Sequence, residues 1–264
     1  MKQKKQREVN PKIHFTDAYL LNPTHPITIN LVGCGGTGSQ VLTALARINH
    51  TLIALGHPGL HVTAFDPDHV TDANLGRQLF SVSDAGLNKA VVLTSRINRF
   101  FGIGWEAVPD AYQFEPSNIL ITCTDTIKSR LEIAQKVLKK RNNDHSHCPY
   151  HKRMYWLDFG NTQHTGQVVL GTFGEIKQPS SKQYNPIGKL PCITECFDLK
   201  RIDEKDAGPS CSLAEAINRQ DLFINTTLAN IGSKLLWKLF REGKTNQRGA
   251  FLNMDTMKMN PILV

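Results

Sequence analysis

The chain has 264 residues, of which 40% are hydrophobic and 20% charged, and this composition excludes a disordered or fibrous protein. No run approaches the roughly 20 apolar residues of a membrane helix, and the basic stretch Met1–Asn10 has no apolar run behind it, so we expect a cytoplasmic protein without a membrane partner. The net charge of +8 is spread along the chain without interleaved aromatic residues, which argues against nucleic acid as a partner.

The order of elements in the first half predicts a doubly wound, mostly parallel α/β sheet. After a polar tail over residues 1–26, the β-branched run Ile27–Gly33 predicts a buried parallel strand, and the apolar spacing from Val41 to Ile48 predicts a helix behind it. The following elements alternate in the same way, with strands at 60–68, 104–109 and 118–123 and helices at 85–99 and 126–140.

The second half has a different pattern. Two strands are predicted at 154–160 and 166–173. A long segment over 175–210 shows little periodicity, which is typical of either a functional loop or a disordered, mobile one. A helical stretch follows over 211–241, and one or two strands close the chain. Asp158 and Asn161 end the first of these strands, where they either help to bind a ligand or cap a turn.

A glycine-rich turn between the first strand and its helix points to a nucleotide. The run GCGGTG contains G-x-G-x-x-G, in which glycines let backbone N–H groups approach a phosphate at a helix N-terminus. The pattern alone does not separate NAD, FAD and ATP. The candidate phosphate-binding glycines are Gly33, Gly35, Gly36 and Gly38. Asp66, at the end of the next strand, is placed to bind ribose hydroxyls, and Asp68 either shares that role or caps a turn.

Charged residues further along favour phosphate chemistry over hydride transfer. Arg77 and Lys89, converging on one phosphate, would neutralise the charge that builds up during nucleotidyl transfer. Asp125 follows a strand at its carboxyl end and is well placed for Mg²⁺. Asn74 and Gln78 belong to the same N-L-x-R-Q run as Arg77, and a dinucleotide dehydrogenase has no need of that run here.

Together these motifs resemble the ThiF/MoeB/HesA superfamily of adenylyltransferases related to ubiquitin-activating enzymes. The resemblance rests on G-x-G-G-x-G, D-x-D-x-V-x-x-x-N-L-x-R-Q, a helix lysine and T-D-x-x-x-x-R, and it is strongest over residues 27–130. The run PSCSLAEAINRQDLFIN, at 209–225, looks like the ThiF-type proteins of the bacterial PRTRC system.

The resemblance implies a function and its residues. In such enzymes the C-terminal carboxylate of a ubiquitin-like β-grasp protein attacks the α-phosphate of ATP. The glycines and Asp66 would hold ATP, and Asp125 would bind Mg²⁺. The phosphates of ATP would be lined by Asp68, Asn74, Arg77, Gln78 and Lys89. Residues 27–264 would form the adenylation domain, with the nucleotide core at 27–145 and the partner-binding half at 146–264, including a crossover loop near 175–210.

The resemblance also implies a thiol carrier, a metal and further partners. Cys211 would correspond to the cysteine that carries an acyl or persulfide group, although a packing or helix-capping role is the alternative. Cys192 and Cys196 are candidate zinc ligands together with the HSHCPYH cluster, which is otherwise a solvated loop. The implied partners are conjugating-enzyme-like and JAB-type peptidase proteins and a second copy of the chain, whose Arg7 would complete the ATP site.

Two rival functions share parts of this pattern. An NAD- or FAD-dependent oxidoreductase would explain the glycine turn and Asp66 but not Arg77, Lys89 and Asp125 together. A non-catalytic adaptor could keep the same fold and bind a partner without turnover. The expected residue type at each predicted catalytic position argues against the adaptor.

Overall fold

The computed structural model describes residues 10–141, 152–199 and 220–264. The strands are β1 (Lys12–Phe15), β2 (Ile27–Val32), β3 (Leu60–Phe65), β4 (Glu106–Val108), β5 (Ile119–Thr122), β6 (Tyr155–Asn161), β7 (Thr165–Thr172), β8 (Asn185–Pro186), β9 (Lys244–Thr245), β10 (Gln247–Asn253) and β11 (Lys258–Leu263). The helices are α1 (Ala18–Leu21), α2 (Gly36–Ala54), α3 (Lys89–Phe101), α4 (Ile127–Arg141), α5 (Ile193–Cys196) and α6 (Ile224–Glu242).

Eight strands form the main sheet in the order β11-β10-β7-β6-β5-β2-β3-β4. The five strands from β6 to β4 run parallel, whereas β7, β10 and β11 extend the sheet in antiparallel fashion. The predicted mostly parallel α/β fold is therefore confirmed. Because the chain leaves β2 toward β3 and later returns to β5 on its other side, the strand order reverses there, and open α/β sheets bind ligands at such a point.

Helices cover both faces of the parallel strands, which explains why these strands are apolar almost throughout. All four residues of β5 are buried, as are five of the six in β2. On one face Leu31 and Ile121 belong to a core shared with α2, α3 and α6. On the other face Leu120 packs in a smaller core with Ile133 of α4 and Ile193 of α5.

Helix α3 begins later and ends later than the sequence predicted. Asn88 caps its first turn, since the Asn88 side chain accepts a hydrogen bond of 3.1 Å from the Val91 N–H. Residues 85–87, predicted as helical, instead form a turn that follows a short 3-10 segment, Val82–Asp84. The helix ends at Gly102, whose φ of 65° is left-handed and suits glycine.

The described part of the predicted tail and of the long loop is folded. Strand β1 pairs with β8 in parallel and with β9 antiparallel, which makes a small second sheet. In the long loop, Ile176 and Leu190 are buried in the main core. Strands of two to four residues carry too little periodicity to be recognised from sequence, so β1, β8 and β9 were not predicted.

The last part of the chain contains α6 and then β10 and β11, which match the one or two strands predicted for its end. The start of the predicted helix, at 211–219, lies outside the described residues. None of the helices in the described ranges combines the length and the apolar character needed to cross a membrane.

Candidate functional site

The glycine turn lies where β2, β3 and β5 end side by side, and it leaves no room for a Cβ at Gly33 or Gly38. Gly33 has a φ of 91°, and a Cβ there would lie 2.7 Å from the Cys123 carbonyl oxygen. A Cβ on Gly38 would lie 1.8 Å from the carbonyl oxygen of Gly33. The turn therefore packs directly on the end of β5 and leads into the N-terminus of α2, whose free N–H groups favour an anion.

The Asp66 carboxylate holds this turn from beneath. Its Oδ2 accepts a hydrogen bond of 2.6 Å from the Cys34 N–H, and its Oδ1 accepts one of 2.9 Å from the Asp68 N–H. Burial raises the pKa of Asp66, while these two N–H groups oppose the shift. Asp66 thus shapes the loop, a role the sequence did not reveal, and its contact with ribose stays a prediction.

Lys89 and Asp68 meet beside the turn. Lys89 Nζ lies 2.9 Å from Asp68 Oδ2, and the lysine side chain is largely buried whereas that of Asp68 is 65% exposed. Lys89 is also close enough to Asp66 to favour its carboxylate form. The structure therefore places the predicted lysine next to the glycine turn, paired with an acid that solvent can reach.

Arg77 and Gln78 present buried polar atoms that have no partner among the described residues. Gln78 is buried against Gly35, where its Oε1 makes no hydrogen bond to the described part of the chain, and the half-buried Arg77 has a buried Nε in the same situation. Burial lowers the pKa of Arg77 from its usual value, and nearby Asp125 opposes that shift. Buried polar atoms are nearly always satisfied in native proteins, so an unpartnered donor and acceptor beside a glycine turn fit a polar ligand.

Asn74 and Asp125 take different positions around the same edge. The Asn74 Oδ1 accepts a hydrogen bond of 3.0 Å from the Thr71 N–H, so this side chain shapes the turn that carries Arg77. Asp125 is exposed beyond the end of β5. No group of three or more His, Cys, Asp or Glu residues in the described ranges could hold a metal ion. A single exposed carboxylate still suits Mg²⁺, which commonly takes its other ligands from water and phosphates.

A buried ion pair beneath Asp125 escaped the sequence analysis. Arg130 Nε lies 3.3 Å from Asp158 Oδ1, and Arg130 Nη2 donates a hydrogen bond of 2.6 Å to the Thr124 carbonyl. The Arg130 Nε and Asp158 Oδ2 atoms make no hydrogen bond within the part of the chain that the structure describes, so the pair is held by charge more than by hydrogen-bond geometry. Burial raises the pKa of Asp158, and Arg130 opposes this shift. Asp158 lies inside β6 and is fully buried, so it does not cap a turn, and its contact with a ligand stays a prediction.

The start of α6 reaches the glycine turn through Asn225, another residue that the sequence did not single out. Asn225 Oδ1 accepts hydrogen bonds from Thr37 Oγ1 at 2.9 Å and from Asn161 Nδ2 at 3.4 Å. Asn225 Nδ2 donates to Gln220 Oε1 at 3.0 Å, and the same oxygen accepts from Arg77 Nη1. The extra glycine at 36 signalled a close approach, since a Cβ there would lie 2.5 Å from the Asn225 side chain.

The cysteines proposed for zinc lie at the far end of the sheet. Cys192 Sγ donates to the Thr172 carbonyl at the end of β7, and burial raises the Cys192 pKa to about 12. Cys196 Sγ accepts a hydrogen bond of 3.4 Å from Arg248 Nη2. A neutral buried thiol and a thiol beside a cation give no support to a zinc site here. The HSHCPYH cluster, Cys211 and Arg7 lie outside the described residues.

One family model and several solved structures are similar to the chain. A model of the ThiF family matches residues 21–263. No curated protein matches the chain. Solved structures of E. coli MccB share its fold at 16% sequence identity, with a TM-score of 0.58 over 92% of this chain and 63% of that chain.

Structures of the same protein with ligands are also similar to the chain. MccB with ATP has a TM-score of 0.53 over 90% of this chain and 63% of that one, at 16% identity. MccB with MccA-N7isoASN has a TM-score of 0.57 over 90% and 64%, again at 16% identity. The chain thus spans less than two thirds of the length of MccB, and the likeness concerns the fold.

Proposed function

The chain belongs to the ThiF family, and from this premise we propose that it uses ATP and Mg²⁺ to adenylate the C-terminal carboxylate of a polypeptide. The observation that carries the proposal is the pair of unpartnered buried atoms, Arg77 Nε and Gln78 Oε1, beside the glycine turn. An oxidoreductase does not need a cationic fork at this position, whereas a triphosphate does.

The proposed reaction is a substitution at the α-phosphorus of ATP. A carboxylate oxygen of the substrate forms a bond to this phosphorus, the bond to the bridging oxygen breaks, and pyrophosphate leaves. The products are an acyl adenylate and pyrophosphate. Negative charge spreads over the phosphate oxygens in the transition state, and positioned cations lower its free energy there.

Each residue has a definite task in this scheme. The N–H groups of the glycine turn and the start of α2 bind the phosphates, and Arg77 and Lys89 neutralise their charge. Asp66 fixes the turn through the Cys34 N–H. Asp125 would hold Mg²⁺, which when bound supplies further positive charge beside the phosphates.

A ubiquitin-like β-grasp protein is the substrate that we propose, and apolar surface near the site supports a protein over a small molecule. Phe223, just before α6, is 62% exposed, and Met257, in the turn after β10, is 83% exposed. Strand β10 runs in the same direction as β6, so that turn lies at the carboxyl edge of the sheet. The solved structures of MccB with MccA are consistent with a polypeptide substrate for a protein of this fold.

The finer features remain parts of the same proposal. We propose Cys211 as the thiol whose thiolate attacks the adenylate carbonyl, forms a thioester and releases AMP, or which carries a persulfide loaded by a separate sulfur donor. We also propose a PRTRC-type pathway with conjugating-enzyme-like and JAB-type partners, and a homodimer. Transfer of the acyl group from the adenylate to a thiolate is downhill, because the adenylate is a mixed anhydride.

The test is exchange of labelled pyrophosphate into ATP by the full chain, with Mg²⁺ and candidate β-grasp proteins. Exchange should require the free C-terminal carboxylate, so the same protein with an amidated C-terminus is the matched control. Binding of the β-grasp protein without any exchange would favour the adaptor, and binding of NADH without ATP would favour the oxidoreductase.

A further inference from the structure

We propose that Gln220 is a positioning residue that aims the Arg77 guanidinium at the phosphates of ATP. The inference rests on the proposed function and goes beyond it, because it assigns a role to a residue 143 positions away from Arg77 in the chain. The contact that carries it is the hydrogen bond from Arg77 Nη1 to Gln220 Oε1.

The contact leaves the phosphate-binding edge of the guanidinium available. Arginine grips an oxyanion with two parallel N–H groups, and the edge formed by Nε and Nη2 is one of its two-pronged edges. Gln220 contacts the other terminal nitrogen, Nη1, while Nε is buried with no hydrogen-bond partner in the ranges 10–141, 152–199 and 220–264. A guanidinium tethered by Nη1 cannot rotate freely, so its Nε side stays turned in one direction.

The orientation of the Gln220 amide is itself fixed. Gln220 Oε1 accepts a second hydrogen bond, of 3.0 Å, from Asn225 Nδ2. If the amide were flipped, its NH₂ group would face two donors, so the oxygen has to point toward Arg77 and Asn225. Two donors therefore determine which end of the amide meets the guanidinium.

Asn225 connects this tether to the glycine turn. Its Oδ1 accepts a hydrogen bond of 2.9 Å from Thr37 Oγ1, in the first turn of α2. Arg77 and the phosphate-binding N–H groups are thus held relative to each other through Gln220 and Asn225. Because Arg77 and these N–H groups are positioned before ATP binds, the entropic cost of binding is lower.

A double-mutant cycle tests the proposal with the affinity of the full chain for AMPCPP and Mg²⁺, measured by calorimetry. Gln220→Leu removes the acceptor oxygen and should weaken AMPCPP about tenfold, the range of one charge-assisted hydrogen bond. Arg77→Lys replaces the fork with a rotating ammonium that has no edge to aim. In that background Gln220→Leu should change the affinity by less than about twofold.

Two further variants make the test decisive. Gln183→Leu, on the exposed side chain of another glutamine, is the matched control and should bind AMPCPP like the wild type. Gln220→Asn keeps the amide but shortens the side chain by one methylene, so its oxygen no longer reaches Arg77. This variant should show the same tenfold loss of AMPCPP affinity, and it replaces Gln220→Leu in the test if the leucine variant folds poorly.

An equal loss from Gln220→Leu in the wild type and in the Arg77→Lys background would mean that Gln220 only supports the local fold. No loss in either background would mean that Gln220 does nothing for Arg77. Either result overturns the inference while leaving adenylation intact. If the wild-type chain does not bind AMPCPP at all, the proposed function fails and this inference fails with it.

Discussion

Two polar clusters of opposite character lie at opposite edges of the sheet. At the start of β6, the Tyr155 hydroxyl accepts a hydrogen bond of 3.1 Å from the Asp17 N–H and lies 2.9 Å from His14 Nε2. The other ring nitrogen, His14 Nδ1, lies 2.6 Å from the Ile187 carbonyl. Burial raises the pKa of Tyr155 and lowers that of His14, so both groups are neutral and mutually satisfied.

The cluster beside the glycine turn, at the other edge of the sheet, is not satisfied. Arg77 Nε and Gln78 Oε1 are buried without hydrogen bonds to any described residue, and burial lowers the pKa of Arg77. A closed polar cluster of the first kind ties the N-terminal segment to the sheet, whereas an open one costs folding energy until a ligand completes it. The contrast identifies which buried polar groups serve the fold and which serve binding.

The largest effect is expected at the buried pair that lies between these clusters. Asp158→Ala leaves the Arg130 charge buried and uncompensated, and the free energy of unfolding should fall by about 3–5 kcal/mol in urea denaturation. Asp72→Ala, at an exposed acid, is the control and should change it by less than about 0.5 kcal/mol. A small loss of unfolding free energy in Asp158→Ala would contradict the prediction and show that this ion pair does little to stabilise the fold.

The second effect should appear in activity and leave stability nearly unchanged. Arg77→Ala removes a cation that the proposed transition state needs, so pyrophosphate exchange should fall about 100–1000-fold. Since Arg77 already has an unpartnered Nε, the unfolding midpoint should move little. Arg99→Ala, on the exposed face of α3, should retain full exchange. A large loss of stability with Arg77→Ala would mean that the open cluster serves to stabilise the fold and not to bind a ligand.

The sequence revealed the open cluster far better than the closed one. Gly33, Asp66 and Asp125 each closely follow a strand, and the ends of parallel strands meet at one edge, so local patterns suffice to place them. His14 meets Tyr155 and Ile187 across 141 and 173 positions, and no local pattern encodes those contacts.

The same reasoning explains what the sequence missed inside the site. Gln220 and Asn225 reach Arg77 and Thr37 across 143 and 188 positions, from a helix start that shows only the usual apolar periodicity. Asp158 stands within the apolar run MYWLDFG, where a charge signals a buried partner, but Arg130 could be assigned to it only once α4 was placed on the sheet.

The smallest effect is the pH dependence that the closed cluster should confer on stability. The Ile187 carbonyl can only accept a hydrogen bond, so His14 donates from Nδ1 and its Nε2 accepts from Tyr155. Burial lowers the pKa of His14 below 6.5, against the opposing charges of Glu175 and Asp17. Above pH 6.5 neither the folded nor the unfolded state binds this proton, so His14 adds no pH dependence there.

As the pH falls below 6.5, the unfolded chain binds the proton and the folded one does not, so stability should fall. Between pH 7.5 and 5.5 the wild type should lose about 1 kcal/mol more than His14→Gln, because that variant lacks the titrating ring. His50→Gln, at an exposed site on α2, should keep the wild-type dependence. If the free energies of unfolding of the wild type and His14→Gln, measured by urea denaturation, fall in parallel with pH, the folded state must protonate the His14 ring as readily as the unfolded state. The His14 and Tyr155 cluster would then not be closed.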